Sequence, residues 1–342
     1  MSEMNSEKLH EAMLYEKKES KIVQCNLCNR RCTIPESKIG LCGVRKNNEG
    51  KLYSLVYGKA ITFDVDPIEK KPLYHFRPDS HCMSISTLGC NFFCKHCQNY
   101  NISQVRNEET LNKVPFTEPE KVIEKTLNSE ADGIAYTYTE PTIFAEYALE
   151  IMKLAKKNDL YNVWVSNGYM TKELAEKITP FLDAINIDLK GSEKFYNEIA
   201  GNAKMKFVKE NIKFFNEKKV HTEVTTLIIP GYNDDTETLK EISEFIYEIN
   251  PEMPLHFSKF SPMYKLNYLI PTPIEKLKLA RDIALETGLK NVYVGNVNSE
   301  LSTVCSKCNA ILINRNGYSL TFEELDSDGK CKKCKTQSNI IL

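Results

Sequence analysis

"TLGCNFFCKHCQN", residues 87–99, holds Cys90, Cys94 and Cys97 in C-x3-C-x2-C spacing. A structural zinc site takes four ligands and a disulfide takes two. Three thiols in one tight loop point instead to a metal centre with one position left open. Three thiolates at this spacing can wrap one face of a four-iron cubane, which ordinarily takes four cysteines. The iron without a protein ligand is then free to chelate a small molecule. The rival is zinc with a fourth ligand from elsewhere. Cys82 is the nearest thiol, roughly 25 Å away if the chain is extended at about 3.3 Å per residue. It reads as a buried, inert thiol. His96 diverges from Cys97 beside it and reads as a flank of the centre.

The triplet follows the first of seven short apolar runs: "MSISTLG", "GIAYTYT", "NVWVSNG", "AINIDLKG", "HTEVTTLIIPG", "LHFSKFSP" and "NVYVGN". Charged segments of helical period separate most of them. Thr117 and Thr272 each precede proline-containing capping-box sequences, and Thr171 and Asp235 read as N-caps. Strand and helix alternating six times predict an α/β fold with parallel strands, which could close like a (β/α)8 barrel, remain a partial (β/α)6-type barrel or open into a doubly wound sheet; the partial barrel is the arrangement expected here. Functional loops of such a barrel follow the C-terminal strand ends. Cys90, Glu140, Asn167, Asp188, Lys190, Pro230, Gly231 and Lys259 all fall there. Asp188 and Lys190 alternate with Leu189 and therefore share one face.

The 342 residues carry 45 basic and 46 acidic side chains, so no global field points to nucleic acid or to an anionic membrane. The start is charged, and no apolar run reaches transmembrane length, so a cytoplasmic chain is expected. Disulfides are disfavoured there, yet there are twelve cysteines. Eleven of them fall into three clusters, which is a metal-ligation pattern. Cys25, Cys28, Cys32 and Cys42 offer four thiolates for either zinc or a second iron–sulfur cluster. A cluster here would relay electrons to the central site; zinc would only brace. Cys305, Cys308, Cys331 and Cys334 form two C-x2-C knuckles, the pattern of a structural zinc ribbon, with rubredoxin-like iron as the alternative. Residues 1–80 are therefore expected to be an extension with a four-cysteine site, opening with a helix or loose arm over 1 to about 20. Residues 81–300 should be the barrel, and residues 301–342 a separate ribbon module.

The triplet's spacing resembles the radical S-adenosylmethionine (SAM) enzymes. "YTYTEP" (136–141) stands where that superfamily has Gly-Gly-Glu, with Tyr138 and Thr139 in place of the glycines. "SNGY" (166–169), "IDLKG" (187–191), "IIPGYND" (228–234) and "LHFSKF" (255–260) are similar to segments of the glycyl-radical-enzyme (pyruvate formate-lyase) activase branch. "CNLCNRRC" (25–32), "GLCGVR" (40–45), "CQNYNISQ" (97–104) and "YTYTEPTIFAEY" (136–147) resemble the radical SAM member of the AmmeMemoRadiSam system. The resemblance implies a [4Fe-4S] cluster on Cys90, Cys94 and Cys97, and SAM contacts from Glu140 (the methionine ammonium), Ser166, Asn167, Asp188, Lys190 and His256. It also implies reductive cleavage of SAM to a 5′-deoxyadenosyl radical and a reductant such as ferredoxin or flavodoxin; the substrate is left open between a protein, as in glycyl-radical activation, an RNA and a small molecule, with the activase similarity favouring a macromolecule.

Each residue also has a plainer reading. Asn167 could close a turn before Gly168. Asp188 and Lys190 could be a solvated ion pair, and His256 a satisfied core histidine. Tyr136, Tyr138 and Phe144 read as packing. For the whole chain, the alternative class is a multi-cluster electron carrier or redox sensor without radical chemistry.

Overall fold

The computed structural model describes residues 9–297 and 300–342. Its centre is one eight-stranded sheet: β1 (Asp64–Pro67), β2 (His81–Ile85), β3 (Gly133–Tyr136), β4 (Tyr161–Ser166), β5 (Ala184–Asp188), β6 (His221–Ile228), β7 (Leu255–Lys259) and β8 (Val292–Gly295). Spatial order follows chain order, and β8 does not pair with β1. The seven apolar runs supply β2 to β8, all parallel. β1 is added antiparallel to β2 from the N-terminal extension, with Asp66 opposite Cys82. The result is an α/β partial barrel with two unpaired edges, the expected one of the arrangements that the strand–helix rhythm allows.

The strands read as near-continuous apolar runs because both faces are covered. Trp164, Ile185, Ile187 and Val224 belong to the main core, which helices α1 (Pro119–Leu127), α2 (Ala145–Lys157), α3 (Lys172–Ile178), α4 (Met205–Glu217), α5 (Thr236–Ile249) and α6 (Ile274–Thr287) help to build. Ala135, Val163 and Ala184 form a second cluster with Ile68, Leu73 and Phe76 of the extension. The segment around residues 68–76 thus plugs the base of the barrel. Its backbone is tied there by Asn186 Nδ2 to Pro72 O at 2.7 Å and by Tyr74 N and His75 N donating to the Glu223 carboxylate at 3.0 and 2.8 Å.

Thr171 and Asp235 cap α3 and α5 with their side chains, accepting from Leu174 N and Thr238 N. Thr117 does not cap α1. Pro119 occupies the first turn, Glu118 is the N-cap, and Thr117 N is committed to Gly58 O. Thr272 is one residue too early for α6. Its hydroxyl accepts from Phe260 N and donates to Ile228 O, so a tertiary contact has taken the side chain the helix would use. The expected arm or helix over residues 1 to about 20 is also corrected. His10–Glu11 pairs with Lys51–Ser54, and Tyr15–Lys17 pairs with Val23–Cys25. Residues 1–8 lie outside the described part.

The C-terminal ribbon is a three-stranded antiparallel sheet of Glu300–Val304, Ile311–Asn316 and Ser319–Phe322. It is built into the barrel. Arg315, 1 % exposed, donates to Tyr74 O and to Thr303 Oγ1, both at 2.7 Å. Asn339 meets His75 Nδ1, and Tyr293 Oη meets Thr303 Oγ1.

Candidate active site

The loop after β2 is held by backbone and cationic contacts before any metal is considered. Arg30 donates from Nε to Asn91 O at 2.9 Å and from its two terminal nitrogens to Asn202 O and Gly201 O at 2.8 Å each. Lys95 N donates to Ile199 O, and Gln104 Nε2 to Phe92 O. Gly89 has φ +94°, and a Cβ there would lie 2.8 Å from Cys42 O. The loop therefore needs glycine for both conformation and clearance. It presents Cys90, Cys94 and Cys97 to a cavity of about 510 Å³ at the C-terminal rim, a size suited to a small-molecule cofactor.

Opposite the triplet stands the turn after β3. Tyr138 adopts φ +62°, a conformation that glycine takes without strain and tyrosine does not. Its carbonyl accepts from Asn99 Nδ2 at 2.8 Å, and its hydroxyl donates to Asp66. Asp66 also pairs with Lys70 and Lys71 at 2.6 and 2.7 Å. The missing glycines are thus replaced by a tyrosine pinned at both ends. Thr137, Tyr138 and Thr139 line the cavity, together with Ser166, Asn167, Asp188 and Lys190.

Glu140 does not line it. The side chain is fully buried, and both oxygens are in use. Oε1 accepts from Thr142 N at 3.0 Å, Thr142 Oγ1 at 2.6 Å and Ser166 Oγ at 2.8 Å; Oε2 accepts from Asn167 N at 2.8 Å. Burial raises its carboxyl, and the donors pull it back. Glu140 therefore clamps the turns after β3 and β4 together, and its carboxylate is set behind the cavity wall rather than on it. Asn167 closes a turn, as its plainer reading has it, and also lines the cavity. Its Oδ1 closes a turn by accepting from Tyr169 N at 3.0 Å, and its Nδ2 donates to Asn91 Oδ1 at 2.7 Å beside Cys90.

Asp188 and Lys190 pair at 2.7 Å on the cavity wall, with side chains 35 % and 12 % exposed, so this is not a freely solvated surface pair. Burial alone would lower Lys190, but Asp188 and Cys94 beside it outweigh that and leave it raised. Burial pushes the Cys94 thiol up to about 12, against the pull of Lys190, and pushes Cys90 well above its ordinary value. His96 is buried and lines the cavity, lowered to about 3 by burial and then by Lys190. Its Nδ1 has no hydrogen-bond partner among the described residues.

His256 lies elsewhere. It is the second residue of β7, at the base, and its Nε2 meets Glu223 Oε2 at 2.6 Å. Its ring packs on Tyr74 and Tyr293. The plain core-histidine reading is the one the geometry supports. Cys82 is fully buried, and burial raises it to about 12, as expected of an inert thiol.

Sequence reasoning passed over Asn91, Asn99, Arg30 and Tyr318. Asn91 and Asn99 lie within the quoted loop and could have been flagged by adjacency. Tyr318 sits at the ribbon's hairpin and reaches the cavity wall, which no local pattern foretells. Cys305, Cys308, Cys331 and Cys334 have their sulfurs all within 4.8 Å of one another. That fits a tetrahedral zinc with Zn–S of about 2.3 Å, whose sulfurs stand about 3.8 Å apart.

The Radical SAM superfamily profile matches residues 84–245, from β2 through most of α5. An uncharacterized protein of Methanocaldococcus jannaschii is 42% identical over 340 residues, covering 98% of this chain and 100% of that one. A second protein of the same organism, provisionally named a glycyl-radical enzyme activating enzyme, is 27% identical, covering 64% of this chain and 80% of that one. Among solved structures, a radical SAM methyltransferase from Sphaerobacter thermophilus superposes with TM-score 0.50 at 12% identity, covering 64% of this chain and 67% of that one. This last likeness concerns the fold alone.

Proposed function

We propose, from the radical SAM superfamily domain that residues 84–245 form, that Cys90, Cys94 and Cys97 hold a [4Fe-4S] cluster at the mouth of the rim cavity, with SAM beside it. The observation that carries this is three thiols on one braced loop facing a cavity walled by Asn167 and an Asp188–Lys190 pair. The donor set fits the group: three soft ligands, an open side towards the cavity, and a cation next to Cys94. When bound and reduced by one electron, such a cluster supplies homolytic cleavage of SAM to a 5′-deoxyadenosyl radical, which abstracts hydrogen from a substrate.

This chain's residues do the rest. Lys190 stabilises the anionic thiolates and is itself held by Asp188. Asn167 and Ser166, fixed from below by Glu140, shape the floor. The segment of residues 137–139, which lines the cavity, would offer backbone acceptors to the methionine ammonium. His96, kept neutral by burial, closes one flank against water. The substrate we infer is a segment of another protein, supported by the relative named as a glycyl-radical enzyme activating enzyme. The electron comes from a carrier of the ferredoxin or flavodoxin class. The four close-set thiols of the ribbon hold structural zinc.

Anaerobic reconstitution with SAM and dithionite, followed by assay for 5′-deoxyadenosine, tests the reading. Formation of 5′-deoxyadenosine by the native chain and its loss in Cys90→Ala/Cys94→Ala/Cys97→Ala is expected. An intact four-iron signal that SAM leaves unchanged would favour the electron-carrier alternative.

A further inference from the structure

The N-terminal cysteines were left open between zinc and iron–sulfur by their spacing in the chain. Their placement in the fold separates the two. Cys25 ends a short strand, Cys28 and Cys32 follow in the next turn, and Cys42 arrives from a loop ten residues later. All four line one pocket, together with Arg30, Arg45 and Asn91. None is in a disulfide.

Spacing discriminates first. Four thiolates on one zinc stand about 3.8 Å apart, from a Zn–S distance of about 2.3 Å. The ribbon sulfurs are gathered in this way, all within 4.8 Å of one another. Among the described residues, no three of Cys25, Cys28, Cys32 and Cys42 are that close, and neither are Cys90, Cys94 and Cys97. In a four-iron cubane each thiolate binds a different iron, so the sulfurs stand apart around the body of the cluster. Neither the N-terminal set nor the central triplet is gathered about one point as the ribbon thiols are, and the four N-terminal cysteines line a common pocket.

Unpartnered donors discriminate next. Arg45 is 1 % exposed. One terminal nitrogen is bound to Glu146, but its Nε and Nη1 have no partner, and neither has Asn91 Nδ2. All belong to residues lining this pocket. Buried N–H groups without acceptors are costly. A cluster with anionic thiolates and bridging sulfides offers acceptors and negative charge across its whole surface. Charge alone would suit tetrathiolate zinc equally; the spread of the sulfurs decides.

We propose that Cys25, Cys28, Cys32 and Cys42 ligate a second four-iron cluster beside the Cys90–Cys94–Cys97 loop. The two loops touch. Arg106 Nη1 donates to Leu41 O at 2.7 Å and to Cys90 O at 3.3 Å. Asn91 lines the N-terminal pocket while its Oδ1 accepts from Asn167 on the cavity side. Cys32 is partly exposed and Leu41 is 50% exposed, which gives an outside face. A ferredoxin- or flavodoxin-class carrier gives one electron to the outer cluster there. That electron passes to the central cluster, which is reduced as the outer one returns to its oxidised state. The relay rests on the proposed function of the central site; the existence of the cluster does not.

The test uses the full chain, reconstituted anaerobically with iron and sulfide, with metal and sulfide counts, Mössbauer and EPR spectra. About eight irons and eight sulfides are expected, as two cubanes, together with one zinc from the ribbon. Cys90→Ala/Cys94→Ala/Cys97→Ala should keep about four irons and a reduced-cluster EPR signal that SAM does not alter. Cys28→Ala/Cys42→Ala should keep only the SAM-responsive signal. The doubly reduced native chain should give a spectrum broadened by spin–spin coupling relative to the sum of the two variants. Two zincs with about four irons in the native chain, or no iron in the triple variant, would overturn the cluster. A spectrum equal to that sum would overturn the adjacency. If the central reading alone is wrong, SAM leaves every native signal unchanged while the triple variant's iron persists. The native-chain counts do not depend on any variant folding.

Discussion

Glu140→Gln separates a ligand contact from an internal clamp. The carboxylate takes four hydrogen bonds, three on Oε1 and one on Oε2. An amide can keep acceptors on one side only. With its oxygen towards Thr142 and Ser166, the new NH2 confronts the N–H of Asn167. Turned over, it confronts the N–H of Thr142, which cannot rotate away as the two hydroxyls can. One buried backbone donor is therefore stranded, at a cost of about 1–3 kcal/mol, and the bonds that remain lose their charge assistance. A total loss of about 2–4 kcal/mol of folding stability follows. Denaturant unfolding of the anaerobically prepared protein at neutral pH, with SAM titrated separately against the cluster's spectrum, measures both consequences. If the carboxylate acts only as this clamp, SAM affinity should fall only modestly, through displacement of Asn167. Unchanged stability with a SAM affinity lowered thirtyfold or more, equivalent to about 2 kcal/mol, would refute the clamp and restore a direct contact.

Arg315→Ala should cost about 2–4 kcal/mol, since it strands Tyr74 O and removes a guanidinium lying 4.6 Å over the Tyr74 ring; denaturant midpoints of the variant and native chains decide this, and a change below about 0.5 kcal/mol would show that the ribbon is not anchored there. Chelation of the ribbon metal, or Cys305→Ser, should release one zinc and lower the melting temperature without changing the central cluster's spectrum, which metal analysis alongside calorimetry tests directly. His75 is fully buried, hydrogen-bonded to Asn339 and Tyr293, and lowered to about 3 by burial. Its depressed folded pKa means that its contribution is complete above the unfolded value near 6.5. That contribution falls by about 1.4 kcal/mol per pH unit as acid protonates the unfolded chain. His96, lowered in the same way, adds a like slope, so between pH 6.5 and 5 His75→Gln should remove about 1.4 kcal/mol per pH unit and leave the remainder; an equal slope in both proteins would assign the proton elsewhere.

Much of the architecture was open to sequence reading because parallel strands buried on both faces leave a loud signal. Runs such as "NVWVSNG" and "AINIDLKG" cannot sit anywhere but between layers. The triplet was equally plain, since ligand spacing within one loop is a local property. The caps at Thr171 and Asp235 were local too. Thr117 and Thr272 failed where local preference met a competitor: a proline that fixes where the helix begins, and a tertiary partner for the hydroxyl. The short strands near residues 10–17 are two and three residues long. Distant pairing rather than any periodicity of their own makes them strands.

The two site residues that moved, Glu140 and His256, show what a motif leaves out. Each lies in a segment resembling a known ligand-contact segment, and each is buried among its own chain's donors or rings. For His256 the strand itself held the answer. A residue one step into β7 is at the N-terminal end, whereas residues at the C-terminal end, such as Ser258, reach the cavity. For Glu140 no such rule was available, because two of its four donors come from Ser166 and Asn167, 26 and 27 residues on. The turn after β3 must reproduce a glycine conformation with Tyr138 at φ +62°. A tyrosine there stays put only if its neighbours over-determine it. Asp66 holds its hydroxyl, Asn99 holds its carbonyl, and Glu140 locks the following residues onto β4. The carboxylate and the missing glycines are thus linked features: where the backbone has lost the glycines' freedom, a buried clamp supplies the rigidity that holds residues 137–139 in the cavity wall.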